Sequence, residues 1–228
     1  MMLTFTVVVP AAGIGSRMGA PCPKQYLPLA GRFLIEHTLD RLLSHPRIER
    51  VIVPIAADDD FFTTLPLASH PRVTITLGGK ERAESVLNGL RLTATEWVLV
   101  HDAARPCITH QDIDRLIHEG LACDGGLLGS RVRDTMKRSD GTGNVMHTVD
   151  RCELWHALTP QLFRTADLRQ ALQEGLARGA VITDEASAME LAGWTPRMVE
   201  GRADNLKVTR PEDLALATLY LNQQEKEA

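Results

Sequence analysis

Short apolar runs recur along the chain, separated by polar and turn-prone residues. TFTVVVP (4–10), RVIVPIA (50–56), VTITLGG (73–79), WVLVHDA (97–103) and GGLLGSRV (125–132) are short and mostly β-branched or aliphatic. Each predicts a buried strand. The segments between them follow the helical period instead. Leu34, Ile35, Leu39, Leu42 and Leu43 share one face over Leu34–Leu43. Val86, Leu87 and Leu90 do the same within 81–92, and Ile113, Leu116 and Ile117 within 111–121. Strand–helix alternation at this spacing predicts right-handed βαβ crossovers. The expected class is α/β: a Rossmann-like, mainly parallel sheet flanked by helices. Ligands of such sheets bind beyond the carboxyl ends of the strands.

The rhythm breaks near residue 131. RVRDTMKRSDGTGNVMHTVDRCELWHALTPQLF (131–163) has no helical stripe and carries the turn DGTG (140–143) between two polar, β-capable arms. A protruding hairpin at about 131–155 is expected. A lone hairpin is marginal in water, so this arm needs a packing partner, such as a second subunit. Helices are expected again near 165–177 and after Thr183. The last helix has Thr209 as N-cap, Pro211 in its first turn and Glu212 completing a capping box. Its tail NQQEKEA (222–228) is expected to fray. No repeat or linker divides the chain, so residues 1–228 form one expected domain.

Composition narrows the function. A chain of 228 residues buries roughly 70% of its unfolded surface, so it needs no disulfide or structural metal to fold. Cys22, Cys107, Cys123 and Cys152 form no C-x-x-C pair and no zinc-site spacing, which points to a reducing, cytoplasmic setting. No apolar run is long enough to span a membrane, and no basic start precedes the first run as in a signal peptide. The formal net charge of −4 argues against a nucleic-acid coat. Anion binding must therefore be local, which favours a small phosphorylated ligand.

The first strand runs into P-A-A-G-I-G-S-R-M-G (10–19). Gly13 and Gly15 permit a tight turn that presents successive backbone N–H groups to an anion. Arg17 and Lys24 follow on the same loop. Amides with one Arg and one Lys suit attack at the α-phosphorus of a nucleoside triphosphate, where positioning and charge stabilisation dominate. Two other glycine loops fail on spacing. Nothing fits G-x-x-x-x-G-K-[ST]. For G-x-G-x-x-G, position 18 is Met, and neither Glu36 nor Asp58 is placed to be the acidic ribose partner.

Further along, Asp102 ends the fourth predicted strand, at the ligand edge of the sheet. It can hold Mg²⁺ beside a phosphate or cap the segment that follows. A triphosphate's need for charge compensation favours the metal. Arg105 is expected to brace this loop through an ion pair, and the neighbouring His101 to be a packed strand residue. Gly78 and Gly79 permit close backbone approach, and Arg82 and Ser85 share a face at a helix start. Lys80, Glu81 and Glu84 are read as a solvated face. Asp184 and Glu185 are adjacent and diverge on a helix, so they are read as first-turn acids favoured by the helix dipole.

These blocks, taken together, resemble a known family. The loop is similar to that of the sugar-nucleotide pyrophosphorylase superfamily, and PKQY (23–26) narrows the likeness to the 2-C-methyl-D-erythritol 4-phosphate cytidylyltransferases of the non-mevalonate isoprenoid route. GGKERAESVLNGL (78–90), VHDAARP (100–106), RDTMK (133–137), TVDRCELWHALTPQLF (148–163), TDEAS (183–187) and GRADNLKVTRPEDL (201–214) follow in the family's order and cover nearly the whole chain.

The resemblance implies transfer of CMP from CTP to 2-C-methyl-D-erythritol 4-phosphate, with Mg²⁺ and release of pyrophosphate. It implies that Ala11, Ala12, Gly13, Gly15, Arg17, Lys24, Gly79, Arg82, Ser85 and Asp102 hold CTP. Asp134, Thr135, Arg151 and Lys207 would hold the acceptor, and Arg17, Lys24, Arg151 and Lys207 would be catalytic. The family's arm reaches across a homodimer, so Arg151 would serve the partner's site. The family usually has Pro-Val where this chain has Arg131-Val132, a change at the arm's base. Two alternatives remain: a cytidylyltransferase for ribitol 5-phosphate or another polyol phosphate, and a CTP-sensing module without turnover. The retention of Lys24, Asp102 and Lys207 argues against the second.

Overall fold

The structure is a computed structural model that describes residues 3–13 and 22–227. Its frame is a seven-stranded sheet built from β1 (Phe5–Val8), β4 (Ile48–Ile55), β5 (Val73–Leu77), β6 (Trp97–Val100), β7 (Gly126–Arg131), β10 (Trp155–Arg164) and β11 (Arg197–Glu200). The strand order is β11-β7-β10-β6-β1-β4-β5. β1 pairs in parallel with β4 and β6, β4 with β5, and β7 with β11. Only β10 runs against its neighbours β6 and β7. The five strands expected from the apolar runs are all present. β10 and β11 were not foreseen. WHALTPQLF falls in the stretch that the sequence reads only as hairpin and surroundings, and it forms a central strand between β7 and β6.

Alternation along the strands sorts side chains to two faces, as period-2 geometry requires. Phe5, Val7, Val51, Val53 and Leu99 join one core cluster, and Val8, Ile52, Val98 and Val100 join the other. α1 (Leu34–Leu43) and α3 (His110–Leu121) cover the first face. α2 (Arg82–Leu90), α4 (Thr165–Ala177) and α5 (Glu185–Leu191) cover the second. A third cluster, with Leu29, Leu34, Ala104 and Cys107, is closed by Ala217 and Leu221 of α6 (Pro211–Glu227). Among the described residues no helix is long and apolar enough to cross a membrane.

Two details of α6 differ from expectation. Its first turn is capped by Asp213, not Glu212: Asp213 Oδ2 accepts from the N–H groups of Thr209 (2.8 Å) and Arg210 (2.9 Å) and from the Thr209 hydroxyl (3.1 Å). The tail also stays helical through Glu227. It docks because Gln224, buried, donates to the Cys107 carbonyl at 2.9 Å, while Leu221 packs beneath it.

The arm is the expected hairpin. β8 (Met136–Ser139) pairs antiparallel with β9 (Val145–Val149), away from the main sheet. Asp140 shapes its tip, accepting from the N–H groups of Thr142 (2.8 Å) and Asn144 (3.0 Å). A small ribbon of β2 (Pro28–Leu29) and β3 (Arg32–Phe33) leads into α1.

Candidate active site

The carboxyl ends of β1, β5 and β6 open onto one cleft. Its walls include Ala11, Ala12, Gly13, Lys24, Gly79, Arg82, Ser85, Asp102 and Lys207, nine of the residues singled out in the sequence. Gly15 and Arg17 lie outside the described residues. Asp134, Thr135 and Arg151 are exposed on the arm and do not line this cleft; the Arg151 guanidinium donates to the Arg133 carbonyl.

The first wall continues β1. Ala11 N–H donates to the Pro54 carbonyl (2.8 Å), which keeps the chain extended past the strand. The Ala11 carbonyl accepts from Gln25 Nε2 at 2.6 Å, both residues being buried. Gln25 belongs to a 3₁₀ turn, Lys24–Tyr26, that is pinned at its other end: Tyr26 donates to Asp59 Oδ2 at 2.5 Å and stacks on Phe61 at 5.0 Å. Burial and the Asp59 contact hold the Tyr26 phenol well above its usual pKa. Lys24 is therefore presented by a braced turn, with Nζ donating to the Val208 carbonyl at 3.2 Å.

The second wall follows β5. A Cβ on Gly78 would fall 2.4 Å from the Ala12 Cβ, so only glycine permits this approach of the two loops. Ser85 Oγ accepts from Gly79 N–H (3.0 Å) and donates to the Glu81 carbonyl (3.2 Å), fixing the turn into α2. Glu84 is not a solvated bystander: its Oε2 accepts from the Lys80 N–H at 2.6 Å, and Lys80 and Glu81 line the cleft.

The floor is Asp102, which is buried. Three cations converge on it: Lys207 Nζ lies 2.8 Å from Oδ2, Arg82 Nε 3.2 Å from Oδ1, and Arg105 Nε 3.4 Å from Oδ2. Burial opposes the charge, but Arg82, Lys207 and Arg105 outweigh it and hold the carboxyl far below the usual range. Arg105 also donates to the Asn205 carbonyl at 2.7 Å, which is the bracing role expected of it. Asp102 N–H donates to Thr159 Oγ1 (3.0 Å), and that hydroxyl contacts His101 Nδ1 (3.0 Å). His101 is fully buried, and burial pushes its pKa down to about 4, so it is neutral and structural as expected.

Sequence reasoning missed Glu185. It is fully buried at the start of α5, and its two oxygens take the two terminal nitrogens of Arg82 at 2.6 and 3.1 Å. The neighbouring Asp184 is the N-cap, as a first-turn acid should be, accepting from Ser187 N–H at 2.9 Å. The two acids do diverge, but one of them diverges toward the cleft. Nothing local in TDEAS signals this, because the partner lies in another block of sequence.

A family model described as 2-C-methyl-D-erythritol 4-phosphate cytidylyltransferase matches residues 5–223. The chain belongs to that family. It is 70% identical over 220 residues to the 2-C-methyl-D-erythritol 4-phosphate cytidylyltransferase of Aeromonas hydrophila subsp. hydrophila, covering 96% of this chain and 90% of that one. It is 61% identical over 227 residues to the protein of the same description from Tolumonas auensis, covering 99% and 100%. The crystal structure of the Francisella tularensis 2-C-methyl-D-erythritol 4-phosphate cytidylyltransferase superposes with a TM-score of 0.82 at 32% identity, covering 95% and 99%. The chain is therefore a cytidylyltransferase, with the mainly parallel α/β sheet of its family. These relatives favour the methylerythritol phosphate reading over the ribitol phosphate alternative.

Proposed function

We propose that the cleft performs the family's reaction with the residues that line it, aided by the arm of a second copy. The chain transfers CMP from CTP to 2-C-methyl-D-erythritol 4-phosphate. An anionic oxygen of the acceptor phosphate attacks the α-phosphorus in line, a new P–O bond forms, and pyrophosphate departs with the electrons of the broken one. The attacking oxygen is already anionic near neutral pH, so no general base is needed. The observation that carries this reading is the convergence of Lys24, Arg82, Asp102 and Lys207 on one cleft beside the Ala11–Gly13 backbone.

In this reading the Ala11, Ala12, Gly13 and Gly15 backbone approaches the phosphates, while Arg17 and Lys24 stabilise the charge that develops on them. Gly79, Arg82 and Ser85 border the nucleoside. Lys207 and Arg151 orient the acceptor phosphate, with Asp134 and Thr135 beside it. Because Asp134, Thr135 and Arg151 stand on an exposed arm outside their own cleft, they would serve the site of a partner in a homodimer, in the cytoplasm.

The donor set bears on Mg²⁺. Among the described residues no group of three His, Cys, Asp or Glu gathers to hold a metal. One buried carboxylate, Asp102, faces the cleft, which fits an ion held mainly by phosphate oxygens and water. Asp102 would contribute one ligand by giving up a cation contact. When bound, Mg²⁺ would offset the charge of the triphosphate.

The test is pyrophosphate release with CTP, Mg²⁺ and each polyol phosphate in turn. Release with 2-C-methyl-D-erythritol 4-phosphate is expected, and Lys24→Ala should lower kcat by roughly 100-fold. Release with ribitol 5-phosphate alone would sink the acceptor assignment. Normal turnover by Lys24→Ala would sink the assigned chemistry.

A further inference from the structure

We propose that Glu185 is a positioning residue for this reaction, holding the guanidinium of Arg82 and, through it, the carboxylate of Asp102. The proposal rests on the reading that Arg82 and Asp102 serve the cleft.

Glu185 does not line the cleft. It is the first residue of α5, fully buried, and surrounded on its helix by the core residues Ala186, Ala188 and Met189. A carboxylate there carries a desolvation cost that an apolar side chain would not. What it gains is a two-pronged hold on Arg82, at 2.6 and 3.1 Å, with Arg82 Nε left against Asp102 Oδ1 at 3.2 Å. A bidentate carboxylate fixes the plane of a guanidinium, which a single contact to Asp102 would not.

The mount is itself rigid. Gln161, a buried residue of β10, grips the first turn of α5 on both sides of Glu185. Its Nε2 donates to Asp184 Oδ2 at 2.9 Å, and its Oε1 accepts from Ala186 N–H at 2.8 Å. The line of force runs from β10 through Gln161 to Glu185, then Arg82, then Asp102. Without the Glu185 charge, the whole Arg82 cation falls to Asp102, where it competes with Lys207. Nucleotide affinity survives that change, because no positive charge leaves the cleft. The aim of the polar groups does not survive it.

Glu185→Gln keeps the size and one acceptor but removes the charge. Its kcat should fall by roughly 10- to 100-fold, the scale of an ångström-level misplacement. KM for CTP should stay within about threefold. In an Arg82→Ala background the same substitution should cost less than about twofold, since the residue it acts through is gone. Unchanged kcat in Glu185→Gln, or an effect that adds fully to that of Arg82→Ala, would overturn the proposal. If Glu185→Gln does not fold, the doubly apolar Arg82→Met/Glu185→Leu chain replaces it. That protein should fold and turn over no more slowly than Arg82→Ala, because Glu185 acts only through Arg82, and turnover well below that of Arg82→Ala would equally overturn the proposal. Asp102→Asn is assayed alongside. If it is as fast as wild type, the reading of the cleft has failed; if it is slow while Glu185→Gln is fast, only the role of Glu185 has failed.

Discussion

Lys207 Nζ lies 2.8 Å from Asp102 Oδ2, so a cation just ahead of the last helix is neutralised by an anion at the end of β6. The pair is lopsided. Asp102 has Arg82 and Arg105 besides, whereas Lys207 is partly exposed and can turn to water. Removing either partner therefore has unequal effects on stability. Asp102→Ala leaves three cations around a vacated, buried position and should cost about 3–5 kcal/mol. Lys207→Ala leaves the carboxylate still paired and should cost no more than about 1 kcal/mol. Urea unfolding of the two variants decides this, and equal losses would refute the asymmetry.

Stability should fall in mild acid, with His101 contributing to the slope. Its pKa is 6.5 in an ordinary setting and about 4 in the folded chain, because burial disfavours the charged ring. Between those values the unfolded chain binds a proton that the folded chain refuses, so acid favours unfolding. The loss from His101 begins as pH drops through 6.5 and is complete near 4, amounting to about 3 kcal/mol. Burial lowers the pKa of His45 as well, and it adds slope of the same sign. Asp102 adds slope of the same sign only at the acid end, from about pH 5 downward, because the unfolded carboxyl (3.8 in an ordinary setting) begins to bind protons there while the folded one, held far below it, does not. Unfolding free energies measured from pH 7 to pH 4 should show the decline, and His101→Gln should flatten part of it.

Arg151 should separate the two substrates. Its site is the arm, outside the cleft of its own chain, so Arg151→Ala should leave CTP binding by calorimetry within about twofold. KM for the acceptor should rise by about tenfold or more, the loss of one charge-assisted contact. Replacing residues 136–149 with a short Gly-Ser link should give the same split and a monomer by analytical ultracentrifugation. Loss of CTP binding in either variant would place the arm within the nucleotide site instead.

The parts legible in the sequence were those whose physics is local. The stripe of Leu34, Ile35, Leu39, Leu42 and Leu43 matched α1 residue for residue, because amphipathic periodicity is written into neighbouring positions. DGTG gave the arm's turn for the same reason. β10 was missed because its first three residues, Trp155, His156 and Ala157, are only half-buried or exposed, Pro160 falls within it, and its pairing is long-range on both sides. Glu185 was missed because its meaning lies in Arg82, a residue of another helix. Asp213 displaced Glu212 as the cap because both acids stand in the first turn, and only backbone direction decides which one reaches Arg210 N–H. Nine of the candidate residues line one cleft because most of their blocks follow β1, β5 and β6 of one mainly parallel sheet, whose carboxyl edge is a single place.

The reversed strand β10 joins two regions of the molecule. It begins beside the arm, where the Arg131 guanidinium lies over the Trp155 ring at 4.4 Å. Four residues later the Thr159 hydroxyl holds the Asp102 N–H, and two residues after that Gln161 grips α5. One strand thus acts as a tie-rod between the exposed hairpin and the buried Asp102 carboxylate. A chain whose hairpin is clamped should hold that carboxylate more firmly than one whose hairpin hangs free, and amide exchange at Asp102 is where slackness in the rod would first be seen.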